Sequence, residues 1–200
     1  MADNNSSLTD SPTATATSTA ALPIAPGDWA LDPLHSAVNF TIRHLGIAKV
    51  RGRFSEVDAA LYVGETPADV RVTATISLAS IDTGNADRDA HTRSADLLDV
   101  ERRPTMVFRS TGVSGSDEDW SLVGELTIGD VTRPVTLDVE FGGVVDVPMD
   151  GSRHAGFEAT GEIRRSDFGL DFGGGMLGDV VKIQLDMEFV EPREPQGQAG

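Results

Sequence analysis

The chain has 200 residues, with 32 acidic against 16 basic side chains, a net charge of −16, and no cysteine. That length suits one domain with tails. Its charge opposes phosphate backbones and anionic membrane surfaces, and the missing cysteine excludes disulfides, a thiol nucleophile and Cys-ligated metal.

Residues 1–27 hold no Lys or Arg, and beyond Met1 their only large apolar side chains are Leu8, Leu22 and Ile24. Such a stretch cannot bury enough surface to offset its ordering entropy, which predicts a disordered tail. It lacks the basic start and apolar stretch of a secretory signal, so a cytoplasmic protein is expected. The pattern then turns to period two. Val38, Phe40 and Ile42 alternate with polar neighbours, and a strand bent near Ser55 covers 50–63. Further alternation runs through Val70–Leu78, Met106–Phe108, Trp120–Ile128, Val135–Phe141, Phe157–Ile163 and Val181–Phe189. Eight strands result. Turn chemistry falls at Gly64-Glu65-Thr66-Pro67, Gly115-Ser116-Asp117, Gly129-Asp130 and Gly142-Gly143. Residues 85–103 break the alternation, and their apolar spacing predicts one or two short helices started by Asn85 or Asp87. Residues 191–200 read as a second tail, which leaves 28–190 as the folded domain.

Eight mainly antiparallel strands with one apolar face each suit an all-β sandwich or a closed barrel, and alternation does not choose between them. No segment is apolar for the ~20 residues of a membrane-spanning helix. Motifs for chemistry are weak. The histidines His35, His44, His91 and His154 show no metal-ligand spacing. Gly112-Val113-Ser114-Gly115-Ser116 lacks the last glycine of a nucleophile elbow and is expected in a hairpin-like loop. Asp167-Phe168-Gly169 and Asp171-Phe172-Gly173 lack every companion of a kinase.

An ordered set of motifs carries more. It opens with Trp29-x-Leu31-Asp32-Pro33-x-His35-Ser36-x-Val38-x-Phe40-x-Ile42-x-His44. Asn85-x-x-Arg88-Asp89-x-His91-x-Arg93-Ser94-x-Asp96 and Pro104-Thr105-x-x-Phe108-x-Ser110 follow. Val131-Thr132-x-Pro134-Val135, Arg165-Ser166-Asp167-Phe168-Gly169 and Gly178-Asp179-x-Val181 complete it. Together, and in this order over nearly all of 28–190, they resemble the YceI-like family. Leu97-Leu98 replaces the usual pair of Phe, Arg103 a common Tyr, and Asp130 a frequent Gly. The resemblance implies a lipocalin-like, eight-stranded antiparallel β-barrel with a small helical element. It also implies a polyisoprenoid or quinone-like lipid inside, binding without catalysis or a cofactor, and a homodimer.

On that basis the apolar faces nominate ligand-binding residues: Phe40, Ile42, Phe54, Val72, Ile76, Phe108, Leu126, Phe157 and Ile183. Each has a plain alternative role, packing against the others. His44 continues the Val38–Phe40–Ile42 face and is nominated for the mouth, with a hydrogen-bonded strand-end histidine as the plainer alternative. Arg88, His91 and Arg93 lie in the helical segment as a candidate lid. For Arg88, Asp89 and Arg93 local ion pairing is the competing role. The rival functions are a filled barrel serving as a structural or stress-response interaction protein, and, more weakly, an enzyme using His44 or His91 as base.

Overall fold

The computed structural model describes residues 24–149 and 151–191. The strands are β1 (Gly27–Leu31), β2 (Ala37–His44), β3 (Ala48–Phe54), β4 (Val57–Val63), β5 (Arg71–Ser77) and β6 (Ile81–Asp82). Helix α1 (Ala86–Arg93) follows, then β7 (Thr105–Ser116), β8 (Asp119–Ile128), β9 (Val131–Asp146), β10 (Arg153–Arg164) and β11 (Leu177–Val190). All pairings are antiparallel. The order β1-β4-β5-β7-β8-β9-β10-β11 returns to β1 through Ala30↔Val190 and Leu31↔Phe189. β2 continues along β11 from Asp186 to Leu177, and β3 lies beside β2. Thus β1–β2 form one interrupted stave and β3–β4 another, broken at Ser55-Glu56. The result is a closed, eight-stranded antiparallel barrel. Closure is the solution that leaves no open sheet edge around the ring.

Local chemistry explains most boundaries. Gly129, at φ 59°, makes the two-residue turn from β8 to β9. The Asn85 side chain caps α1 by accepting from Arg88 N at 2.9 Å. Asp89, buried at the start of the helix, accepts from Thr83 N at 2.9 Å and Thr83 Oγ1 at 2.5 Å. Arg88 Nε donates to Thr83 Oγ1 at 2.7 Å, and Arg93 Nη1 donates to Ile81 O at 3.1 Å. The helix is therefore pinned by hydrogen bonds to Thr83 and to backbone carbonyls, not by the ion pairing expected of these residues.

Three expectations change. β1 was not anticipated, because five residues are too few for alternation to register. Gly112–Ser116 is not a loop but the end of β7, paired with β8 from Gly112↔Val123 to Ser116↔Asp119. Gly142-Gly143 is likewise inside β9, beside a register shift between Gly156 and Phe157. Glycine and serine there carry no hydropathy pattern, and partner strands supply the order. Residues 1–23 and 192–200 of the expected tails lie outside the described residues. Ile24, assigned to the tail by composition, is buried against Trp29, Leu61 and Val63.

The core falls into two clusters. One gathers Trp29, Leu61, Val63, Val70, Ala155 and Phe189 at one end of the barrel. The other gathers Leu78, Phe108, Leu126, Ile128, Leu137 and Phe168. Between and beyond them the interior is not filled.

Candidate functional site

Inward-facing side chains enclose a cavity of about 630 Å³, within the span of roughly 300–1,000 Å³ common for small-molecule sites. All ten nominated residues lie on its wall. β2 contributes Phe40, Ile42 and His44; β3 gives Phe54; β5 gives Val72 and Ile76. Phe108 comes from β7, Leu126 from β8, Phe157 from β10 and Ile183 from β11. Period two explains this unity: each strand turns alternate residues to one side, and closure makes that side the lumen.

Glycines on the inner wall keep the bore open. Gly52 stands opposite Phe40 in register. A Cβ at Gly52 would overlap the Phe40 ring, so the glycine leaves that ring its space. Gly124 leaves the Phe108 ring its space in the same way.

The two ends differ. At one, the lining residues Ile24, Val63, Val70, Trp120 and Phe189 are all buried, which closes the tube. At the other, the lining includes His44, Thr83, Arg88, His91 and Thr92, with the partly exposed Phe172 and Met176. His91 meets Phe172 edge-on, ring centroids 5.0 Å apart. This end is the mouth, and α1 forms part of its rim. Arg93 takes no place on it.

Arg165, on the wall near the mouth, was missed as a site residue. It is buried and satisfied by carbonyls: Nε donates to Gly178 O at 2.9 Å and Nη2 to Leu177 O at 3.1 Å, while Nη1 donates to Leu170 O. It thereby holds the 169–177 loop, which brings Phe172 and Met176 to the rim. No spacing in the sequence discloses this, since one carbonyl, Leu170, lies in an irregular loop and the other two, Leu177 and Gly178, open β11 beyond it.

On the outside of the barrel, Asp32, His154 and Glu188 bring ligand atoms within 4.8 Å of one another. These atoms already engage each other and His35. His35 Nδ1 lies 2.9 Å from Asp32 Oδ2, and His154 Nδ1 lies 2.5 Å from Glu188 Oε1. The hydrogen bond to Asp32, aided by its charge and that of Glu188, raises the His35 pKa above its ordinary value. His35 in turn holds Asp32 below the usual carboxylate range. The cluster ties β1, β2, β10 and β11 together and faces away from the cavity.

A closed barrel with a blind apolar lumen and a polar-rimmed mouth defines a calyx, a class built to enclose small apolar molecules. Comparison with known proteins identifies which one. The YceI-like domain model matches residues 29–189, and the chain belongs to the YceI-like family. It is 39% identical over 160 residues to Protein YceI of Escherichia coli O17:K52:H18, covering 80% of this chain and 83% of that relative. A UPF0312 protein of Enterobacter sp. strain 638 is 40% identical over the same length and shares. The crystal structure of Burkholderia cenocepacia BcnA aligns with TM-score 0.70 at 21% identity, over 79% of this chain and 98% of that one. A polyisoprenoid binding domain from Saccharophagus degradans, implicated in plant cell wall breakdown, aligns with TM-score 0.60 at 15% identity, over 82% and 98%. These two likenesses show the shared fold.

Proposed function

We propose that the barrel takes up a long isoprenoid or a similar amphiphilic lipid, such as a quinone, and sequesters or carries it without covalent chemistry. The cavity carries this reading: it is continuous, almost wholly apolar and closed at one end. An isoprenoid tail has no hydrogen-bonding groups, so it needs only dry apolar wall. At about 0.8 kcal/mol per buried CH₂, ten carbons give roughly 8 kcal/mol before ordering costs. The head then rests at the rim, where His44 and His91 offer ring nitrogens. The polyisoprenoid-binding description of the Saccharophagus degradans domain accords with this reading.

The filled-barrel alternative is disfavoured by the open lumen. The enzyme alternative is disfavoured by the wall, which among the described residues carries no Asp, Glu, Ser or Lys. The two hydroxyls on that wall, Thr83 and Thr92, are already given to Asp89 and to the Arg88 carbonyl, which leaves no free nucleophile beside His44 or His91. The same proposal places the carrier in the cytoplasm, a location that fractionation of its own cells checks directly.

Native mass spectrometry of protein purified from its own host tests the function. A co-purifying amphiphile that is lost on denaturation supports it. Empty protein that also fails to take up added quinones or prenols overturns it.

A further inference from the structure

The charge of −16 is unevenly spread. Residues 33–55 contain no Asp or Glu but hold Arg43, Lys49, Arg51 and Arg53. The β2–β3 hairpin places all four on its outer face, with Arg43 directly opposite Lys49. Arg53 is paired with Asp82 at 3.3 Å. Arg43, Lys49 and Arg51 are exposed and have no side-chain partner among the described residues. Like charges facing each other across a strand pair are unfavourable unless something external compensates.

The tip of the same hairpin is apolar. Ile47 is 83% exposed and Leu45 is 52% exposed. Leu45 sits at φ 51°, in the left-handed region that favours glycine or asparagine. A leucine in such a turn is explained neither by backbone preference nor by burial. Leu45 N donates to Met176 O at 2.6 Å, which sets the tip against the loop bearing Met176 and Phe172. Those two are 53% and 40% exposed and also line the mouth. The apolar patch is therefore continuous with the entrance of the cavity and flanked by uncompensated cations.

The geometry points to this tip as a docking surface for an anionic lipid bilayer: Leu45 and Ile47 enter the interface, Arg43, Lys49 and Arg51 meet the headgroups, and the mouth opens onto the membrane. Its use for lipid exchange rests on the lipid-binding reading above; the docking itself does not. The remaining acids do not forbid it. Fields fade over about 10 Å at 0.1 M salt, so the groups at the tip outweigh the whole-chain charge. Among nearby acids, Asp82, Asp96 and Asp179 are each engaged by a cation or histidine. Asp87 on α1 and Asp167 and Asp171 on the loop side are exposed and set the limit on how deeply those two sides approach.

The test is sedimentation of the full chain with vesicles of phosphatidylglycerol and phosphatidylethanolamine, against vesicles of phosphatidylcholine alone. Binding should be confined to the anionic vesicles and fall as salt rises from about 0.05 to 0.5 M. The double variant Leu45→Asn, Ile47→Asn should lower partitioning by about tenfold or more. Asparagine suits the left-handed turn, and neither residue lines the cavity, so uptake of a short soluble prenol should be unchanged. Lys49→Glu with Arg51→Glu should weaken binding without altering the fold measured by circular dichroism. Three outcomes overturn the proposal: no partitioning at low salt, equal partitioning on phosphatidylcholine, or a dimer in ultracentrifugation that the double variant dissolves, which would make the tip a self-interface. Docking without prenol uptake would sink the lipid-binding function and leave the docking surface standing; uptake without docking would do the reverse.

Discussion

Phe40 and Gly52 show how single positions set the bore. Gly52→Val has no room on the wall, because the Phe40 ring occupies it and the Asp82 carbonyl lies 3.0 Å from where a Cβ would stand. The ring must swing into the lumen. A folded variant with sharply reduced prenol uptake is expected, by tryptophan quenching or native mass spectrometry. Phe40→Asp or Ile183→Asp acts differently, putting a carboxylate into a dry wall. Uptake should fall at least tenfold, since a charge buried without a partner costs several kcal/mol; undiminished uptake in either folded variant would show that these faces do not meet the guest. His35 and Asp32 give a pH signature. His35 has a raised pKa, so its contribution to stability is full below its ordinary value of 6.5 and fades as pH climbs through the raised value. Asp32 has a lowered pKa, so its contribution is full above 3.8 and fades as pH drops through the lowered value. The stability difference between wild type and His35→Ala should be greatest between about pH 4 and 6.5 and shrink toward alkaline pH. Denaturant titrations across that range check it; a flat difference would contradict the pairing.

At the scale of elements, α1 is held by few contacts, and they are specific. Asn85→Ala removes the cap and should cost about 1 kcal/mol. Asp89→Ala strips Thr83 of its acceptor in a buried position and should cost about 1–3 kcal/mol. Both changes loosen the rim, so guest exchange should quicken even where affinity holds; stopped-flow displacement of a fluorescent prenol measures this. How much the sequence disclosed also divides by element. The long strands were legible because Val70–Leu78 and Val181–Phe189 repeat apolar residues at period two without a break. The hairpin at Gly129 and the cap at Asn85 were legible from turn and cap chemistry. β1 and the ends of β7 and β9 were not, because short or glycine-rich strands owe their order to neighbours. The wall residues could be named from parity once the family resemblance had supplied a barrel. The rim could be named only in part: His44, Arg88 and His91 lie on it, but Phe172 and Met176 reach it through an irregular loop whose path Arg165 and the tertiary structure set.

Over the whole molecule, closure joins β1 near the start of the domain to β11 at its end. A ring of such distant pairings is slow to form, and refolding in milliseconds to seconds is expected. An empty lumen also lacks the dispersion contacts that a solid core would supply. A guest restores them, and it binds the folded state alone. At a hundredfold excess over its Kd it should add about 2.7 kcal/mol of stability. Thermal unfolding of delipidated protein with and without added prenol reads this shift; an unchanged melting temperature at saturation would count against an internal site.

The scarcity of lysine has a practical consequence. Amine-directed labels can reach two side chains in the entire chain, Lys49 and Lys182. Lys182 is held by Glu162 at 2.9 Å, whereas Lys49 on the hairpin has no partner among the described residues. A dye coupled at Lys49 would thus sit at the threshold of the calyx, a ready-made reporter of traffic through its entrance.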